Sequence, residues 1–260
     1  MMTISRFYIR LVLPFCLFLS TYSLAKPDPS ANLKTTIKVV TESYPPFQFV
    51  NKQHQVDGYA TEIVKQLFIL TGDNADITLM PWARAYNTAL QQKNVLIYSM
   101  VRNNIREQKF NWIGPVSKEK IFFWRLKTTQ PVSNLTLAEL KSKLVVTTKD
   151  SNMDQFMTEQ QFPHLYRVTS MDQAIGMLFT HRVEILSGSV IDMQKRTKAL
   201  GLDFSQLVKV YHNKKLNRPL FIAFSGDTDT VIVQRYRAAY QTLQQQKVIT
   251  ALRIKWHISN

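Results

Sequence analysis

A serine and two arginines follow one another closely at the end of an apolar stretch. The stretch that begins at Val95 predicts a strand that stops at Ser99, and Arg102 and Arg106 come next at i,i+4 in a polar segment. Hydroxyl and guanidinium groups donate hydrogen bonds, and a guanidinium can donate two parallel ones to a carboxylate. The pattern therefore indicates a place where an anionic ligand could bind.

The sequence lacks the motifs of common catalytic and metal sites. Its five histidines are scattered without metal-site spacing, and no G-x-S-x-G, P-loop or G-x-G-x-x-G pattern occurs. Binding needs only a shaped cleft with a few polar anchors. We therefore expect a binding protein and not an enzyme, with no cofactor and no bound metal.

Alternating strands and helices must position these residues. Thr36–Thr41 predicts a β-branched strand, an apolar stripe from Ala60 to Phe68 predicts a helix that ends before Gly72, and 75–80 predicts a second strand. Strand, helix, strand is the parallel-sheet unit, and ligands of such sheets bind beyond the carboxyl ends of the strands. The residues just past such ends are Tyr44, Trp82, Ser99, Arg102 and Arg106.

The same alternation continues in the second half of the chain. Strands are expected at 122–126, 144–148, 165–168, 183–186, 207–211 and 220–224, with a helix between each pair of successive strands except the last. Ser151 and Asn152 predict a helix start. A long helix over 229–246 should turn inward Val231, Ile232, Tyr236, Ala239, Tyr240 and Leu243. The fold class is α/β, in two halves without a flexible linker.

The first 25 residues have the features of a secretory leader. Arg6 and Arg10 precede a short apolar run, and small residues occupy Ser23 and Ala25. We expect cleavage after about Ala25 and a periplasmic product. Cys16, the only cysteine, lies in this leader, so the mature chain would contain no disulfide.

The charge balance is strongly basic. The formal net charge is +15, and removal of the leader leaves +13. Secretion argues against nucleic acid as a partner. A solvated basic surface, or attraction of anionic solutes or of an anionic envelope, would account for the excess.

Four segments together resemble a known family. They are TESYPPFQFV with DGYATEIVKQLFILTG, then MPWARAYNTALQ, then SMVRNNIREQKFNWIGP, and finally SGDTDTVIVQRYRAAYQTLQQQKVITALRIKW. Their order and spacing are similar to those of type II periplasmic solute-binding proteins of the family-3, polar amino-acid group. The resemblance implies a two-lobed fold with two hinge crossings, each lobe a sheet flanked by helices. It implies that the first lobe comprises residues 33–117 and 219–260 and that the second lobe comprises residues 118–218.

The resemblance also implies ligand contacts. Tyr44 matches the aromatic residue on the ligand, Arg106 matches the arginine that binds a ligand carboxylate, and Ser151 and Asn152 match the contact from the opposing lobe. Capping alone also explains this serine and asparagine, and core packing would explain a tryptophan before a helix. The complete set of expected ligand-binding residues is Tyr44, Trp82, Arg84, Ser99, Arg102, Arg106, Ser151, Asn152 and Ser189.

One position departs from the family. Ser189 stands where amino-acid binders have an acid for the ligand ammonium, and a buried ammonium without such a partner is costly. Asp192 or Glu42 could take its place. The solute is therefore expected to be small and polar, either anionic or amino-acid-like.

The resemblance implies a monomer that closes on this solute and delivers it to an ABC-type membrane permease. Two alternatives use the same fold. One is a secreted dehydratase-like enzyme, for which Glu42 and Glu184 would be the acids to test. The other is a sensory module that presents its ligand to a receptor.

Overall fold

The structure is a computed structural model that describes residues 34–129 and 134–258. The predicted leader, with Cys16 and the cleavage site, lies outside these residues. The strands are β1 (Thr36–Thr41), β2 (Phe49–Val50), β3 (Val56–Asp57), β4 (Asn74–Leu79), β5 (Val95–Val101), β6 (Phe110–Lys118), β7 (Ile121–Leu126), β8 (Val145–Thr148), β9 (Leu165–Val168), β10 (Ile185–Ser189), β11 (Leu207–His212) and β12 (Pro219–Ser225). The helices are α1 (Tyr59–Thr71), α2 (Trp82–Gln91), α3 (Asn104–Glu107), α4 (Leu137–Lys141), α5 (Asn152–Glu159), α6 (Met171–Phe179), α7 (Val190–Ala199), α8 (Thr230–Gln245) and α9 (Val248–Lys255).

Two five-stranded sheets of matching design carry the fold. The first has the order β4-β1-β5-β12-β6, and the second has the order β11-β7-β10-β8-β9. β1 runs parallel to β4 and β5, while β12 is antiparallel to β5 and β6. In the second sheet β8 runs parallel to β9 and β10, while β7 is antiparallel to β10 and β11. Each sheet with its helices forms one lobe, so the predicted two-lobed α/β fold is confirmed.

Each sheet has a hydrophobic core on both faces. Side chains of β1 alternate between them: Ile37 and Val39 pack with α1 and α8, whereas Val40 packs with α2. In the second lobe one core holds residues of α6 and α7, and the other holds residues of α4 and α5. The period-two alternation of strand side chains explains how one strand supplies two cores.

The chain passes twice between the sheets. It leaves the first sheet after β6 and enters β7 within three residues, and it returns between β11 and β12. Both sheets lie in the single compact unit Lys34–Asn260. The residue limits 33–117 with 219–260 and 118–218 stay a prediction. No helix within 34–129 and 134–258 is long and apolar enough to cross a membrane.

The predicted end of β5 is wrong. The strand does not stop at Ser99 but pairs with β12 through Val101. Ser99 has a φ of 58°, and the register of the β5–β12 pair shifts between Phe221 and Ala223. An irregularity inside a strand re-aims a side chain without ending the strand, which accounts for the hydroxyl in an otherwise apolar run.

Candidate functional site

A cavity of about 120 Å³ lies between the lobes, at the carboxyl ends of β1 and β5 and beside β8 and β10. By the same measure a water molecule occupies about 10–15 Å³, so the space suits a small solute and not a peptide. Its walls come from both lobes: Glu42, Tyr44, Trp82, Ser99, Val101, Arg106, Glu119, Ile121, Thr147, Thr148, Ser151, Asn152, Met153, Met171, Ser187, Gly188, Ser189, Asp192, Arg196, Leu216, Arg218 and Leu220.

Arg106 is the buried cation of the first lobe. It lies on the short helix α3, where Asn103 caps the helix by accepting a hydrogen bond from the Arg106 N–H at 3.0 Å. Its guanidinium donates to the carbonyls of Val101 and Asp150, at 3.2 and 3.1 Å. The side chain is 1% exposed, and no carboxylate among the described residues forms an ion pair with it. Burial lowers the pKa of Arg106 to about 10, so it remains a cation at neutral pH.

Aromatic rings enclose this guanidinium. Its central carbon lies 5.2 Å from the ring centre of Trp82 and 4.9 Å from that of Tyr86, and the two rings stack on each other. Rings at this distance stabilise a cation through their electron-rich faces. Trp82 is itself buried, lines the cavity and donates from Nε1 to the carbonyl of Asp150 at 2.8 Å. It is therefore both a core residue and a wall of the cavity.

Tyr44 lies in a tight turn directly after β1. Its backbone N–H donates to the Gln48 carbonyl at 2.7 Å, and its ring stacks on Phe47 at 5.2 Å. The turn rests on the start of α1, where a side chain at Gly58 would approach the Phe47 carbonyl oxygen to 2.5 Å. Ser99 supports the same turn by donating to Gln48 Oε1 at 2.7 Å. The sequence PPFQ therefore fixes Tyr44 against the cavity.

The second lobe contributes residues at two helix starts. Ser151 caps α5 by accepting from the Asp154 N–H at 3.0 Å, and Asn152 accepts from the Asn103 side chain at 3.1 Å. Ser189 ends β10, caps α7, and accepts a hydrogen bond from the Tyr44 hydroxyl at 3.3 Å. All three residues line the cavity, so the capping role and the position at the site coexist.

Two of the predicted site residues lie elsewhere. Arg84 is exposed on α2, and Arg102 is exposed and paired with Glu107, with its guanidinium over the rings of Trp112 and Phe221. Neither belongs to the described residues that line the cavity. A helix turns by about 100° per residue, so Arg84 lies on another side of α2 than Trp82. The structure thus brings seven of the nine predicted residues to the cavity.

Three carboxyl groups also line the cavity. Burial raises the pKa of Glu42 to about 7. The positive charges of Arg196 and Arg106 partly offset this rise, and the negative charge of Asp192 adds to it. Burial also raises the pKa of Glu119, and it raises that of Asp192 to about 6. Of these, only Glu42 and Asp192 were considered from the sequence. Glu42 follows β1 directly, so the strand-end argument that selected Tyr44 applies to it as well.

Arg196 is the buried cation of the second lobe. It bonds Asp192 at 2.7 Å and Asp172 at 2.6 Å, and it donates to the Ser43 carbonyl in the first lobe. The sequence signal was present, because Asp192 and Arg196 are i,i+4 neighbours on α7. Direct hydrogen bonds between the lobes, from Arg196, Arg106, Trp82, Tyr44 and Asn103, surround the cavity.

Comparison with known proteins identifies the family of this chain. A sequence profile of the bacterial extracellular solute-binding proteins, family 3, matches residues 37–258. The chain belongs to this family. The family resemblance predicted from the sequence is thereby confirmed. A search of curated proteins finds no match.

Solved structures of family members and relatives share the fold. A histidine kinase sensor domain with similarity to periplasmic binding proteins superposes with a TM-score of 0.76 at 16% identity, over 86% of this chain and 96% of that one. A Salmonella typhimurium periplasmic binding protein with high arginine specificity gives 0.72 at 18%, over 85% and 99%. A putative L-cystine ABC transporter protein from Listeria monocytogenes gives 0.71 at 19%, over 85% and 95%. Identities this low show the fold alone.

Proposed function

We propose that this family member is an extracytoplasmic solute-binding protein that closes its lobes on a small polar solute and delivers it to an ABC-type permease. The observation that carries the proposal is Arg106, a buried cation at an inter-lobe cavity with no carboxylate partner in the described structure. Two of its five N–H donors bond to carbonyls, and Nε has no partner. A carboxylate of the solute would supply the missing counter-charge.

The remaining contacts follow from the walls of the cavity. We assign Tyr44, Trp82, Ser99 and Arg106 as contacts from the first lobe, and Ser151, Asn152 and Ser189 as contacts from the second. We propose that the first lobe comprises residues 33–117 and 219–260 and that the second lobe comprises residues 118–218. Contacts from both lobes would be completed only in the closed form, so the solute would stabilise closure.

A thermal-shift panel of amino acids, dicarboxylates and other small anions tests solute binding. A solute that binds only the folded state stabilises it by about 2.7 kcal/mol at a concentration of 100 Kd, which gives a clear rise in melting temperature. No rise with any member of a broad panel would contradict the proposal. Turnover of a panel member without such a rise would favour the dehydratase-like reading. Of the two acids named for that reading, Glu42 lines the cavity. Glu184 lies elsewhere and bonds to Lys143 and Leu144.

A sensory role is the second candidate, because the fold superposes on a histidine kinase sensor domain. The two roles differ in what the cell loses with the gene. Once the panel has identified a solute, uptake of that radiolabelled solute should fall in a deletion strain if the protein serves a permease. Unchanged uptake with loss of a solute-induced transcriptional response would assign it to sensing.

A further inference from the structure

Asn103 joins the helix that carries Arg106 to the opposite lobe. It precedes α3, and its side-chain oxygen caps that helix by accepting from the Arg106 N–H at 3.0 Å. Its side-chain NH2 group donates to Asn152 Oδ1 at 3.1 Å and to Gln155 Oε1 at 3.0 Å, both on α5 of the second lobe. A carboxamide has one acceptor oxygen and two N–H donors. One side chain therefore bonds α3 to α5, and each of its polar groups has a partner.

The cap fixes the direction in which the Asn103 carboxamide faces. Only its oxygen can accept from a backbone N–H, so its NH2 group must face the second lobe. Arg106 is the third residue of α3, and a helix of four residues has little stability of its own. The position of Arg106 therefore depends on this cap, and the cap and the bonds between the lobes belong to one planar group.

Asn103 differs from the other inter-lobe donors in its place relative to the solute cavity. The other four donors, which are two arginines, a tryptophan and a tyrosine, line the cavity. Asn103 lines a neighbouring groove of about 340 Å³ instead, and so does Gln155. Neither belongs to the described residues that line the cavity. A change to these two side chains can therefore alter lobe closure without altering a wall of the cavity.

We propose that Asn103 is a positioning residue that couples closure of the lobes to the placement of Arg106. This inference rests on the proposed function. In the closed form the Asn103 NH2 group holds α3 against α5, while its oxygen keeps Arg106 at the cavity. These bonds stabilise the closed form and do not contact the solute. A change in the closed population alters the affinity for every solute by the same factor, whereas loss of a wall contact affects different solutes differently.

Two substitutions remove the inter-lobe bonds from opposite sides. Asn103→Ser keeps an oxygen that can cap α3 but has no NH2 group. Gln155→Met removes one of the two acceptors on α5 and leaves the cap in place. Gln160→Met is the matched control, because Gln160 lines the same groove and its side chain forms no hydrogen bond with another described residue.

Calorimetry measures the affinities of these variants, and stopped-flow mixing measures their rates. The probes are L-glutamine, L-glutamate and succinate, with every further member of the panel that the wild type binds. For each bound probe we expect a loss of affinity of about tenfold in Asn103→Ser and about fourfold in Gln155→Met. The loss should lie in the dissociation rate, because the open form captures the solute before the inter-lobe bonds form. The double variant should lose no more than Asn103→Ser alone, and Gln160→Met should stay within about twofold of the wild type.

The outcomes separate this inference from the proposed function. Affinities of both variants within about twofold of the wild type would overturn the role of Asn103 and leave solute binding intact. Losses that differ by more than about threefold between probes would also overturn it, because they would indicate direct contact with the solute. Gln155→Met keeps the cap of α3, so its dissociation rate decides the question if Asn103→Ser fails to fold. Absence of wild-type binding with every probe and with the wider panel would overturn the proposed function, and this inference with it.

Discussion

Two buried arginines line the cavity, one from each lobe, and each donates to a backbone carbonyl of the opposite lobe. Arg106 extends from the first lobe to the Asp150 carbonyl, and Arg196 extends from the second lobe to the Ser43 carbonyl. Their other partners differ. Arg106 lies against the rings of Trp82 and Tyr86, whereas Arg196 bonds to Asp192 and Asp172.

The different partners of the two arginines explain why their pKa values differ and why only one of them has a charge that is not already paired with carboxylates. Burial lowers the pKa of Arg106, and no carboxylate within residues 34–129 and 134–258 forms an ion pair with it, whereas two aspartates raise the pKa of Arg196 well above its usual value despite burial. A charge that carboxylates have already neutralised is a poor binding site for an anion. Arg196 therefore stabilises the second lobe and its contact with the first, and we propose Arg106 as the arginine that binds the solute.

The largest predicted effect is on stability and belongs to Arg196. Arg196→Met leaves Asp192 buried without its partner, which costs about 3–5 kcal/mol. At roughly 2–4 °C per kcal/mol in a chain of this size, the melting temperature at pH 8 should fall by about 10 °C. The loss should shrink at pH 5, because the pKa of Asp192 is already about 6 in the wild type and would rise further without Arg196, so protonation would remove the unpaired charge.

Arg106→Met is the matched comparison. It removes hydrogen bonds to two carbonyls and the ring contacts, but also a cation that burial disfavours, so we expect a loss of about 1 kcal/mol. The double variant Arg196→Met with Asp192→Asn should recover part of the stability. Equal losses for the two arginine variants would show that their carboxylate partners do not distinguish them.

The second prediction concerns Glu42, which lies within range of both arginines. Its pKa is about 7 in the folded protein and ordinarily 4.5. The folded state therefore holds the proton more tightly, and this contribution to stability is fully present below pH 4.5 and is lost as the pH rises to 7. Because Gln does not ionise, the free energy of unfolding of Glu42→Gln should rise relative to that of the wild type between pH 4.5 and pH 7. Above pH 7 the difference between the two proteins should stay constant. The rise in pKa from 4.5 to about 7 corresponds to about 3 kcal/mol. This value is an upper limit, because water in the cavity screens the charge.

Urea unfolding at pH 4.5, 6 and 8 would measure this difference. Asp192 and Glu119 titrate in both proteins, so comparing the two isolates Glu42. A constant difference across the three pH values would mean that the pKa of Glu42 is close to its ordinary value in the folded state.

Local patterns in the sequence predicted most of the fold. β1 and β9 have the predicted limits, and Gly72 ends α1 in the left-handed conformation that was expected. The prediction for α8 was wrong at Val231, which is 73% exposed, because Val233 is buried in its place. Three consecutive apolar residues near the start of the helix, 231–233, make two different helical faces appear apolar in the sequence, and tertiary packing decides which face is buried.

The candidate site was harder to predict than the fold. Tyr44 and Arg106 follow strand ends, a position that the sequence reveals, whereas Ser99 lies inside β5. Arg102 follows a strand end too, yet Glu107 five residues later holds it outside. The i,i+4 spacing predicts the Asp192–Arg196 pair. Arg106 and Arg196 also each donate to a carbonyl of the opposite lobe, and no local pattern predicts which carbonyl that is.

The third prediction compares arginines in binding. Arg106→Lys replaces a planar fork of donors with a single ammonium, so a carboxylate solute should bind about 30-fold more weakly, or about 2 kcal/mol. Arg84→Lys and Arg102→Lys are matched controls outside the cavity and should stay within about twofold. Calorimetry with the solute found in the panel measures all three. An unchanged affinity of Arg106→Lys would remove Arg106 from the site.

The two smallest predicted effects are those of Trp82→Phe and Tyr44→Phe. The indole N–H and the Arg106 guanidinium donate to the same Asp150 carbonyl, at 2.8 and 3.1 Å. Loss of the indole donor leaves that carbonyl satisfied by Arg106, so the solute affinity should fall by only about fivefold, or about 1 kcal/mol. Tyr44→Phe, which removes a 3.3 Å bond to Ser189, should cost still less. If Trp82→Phe instead weakened binding as strongly as Arg106→Lys, the indole would contact the solute directly, and the Asp150 carbonyl would not be its main partner in the closed form.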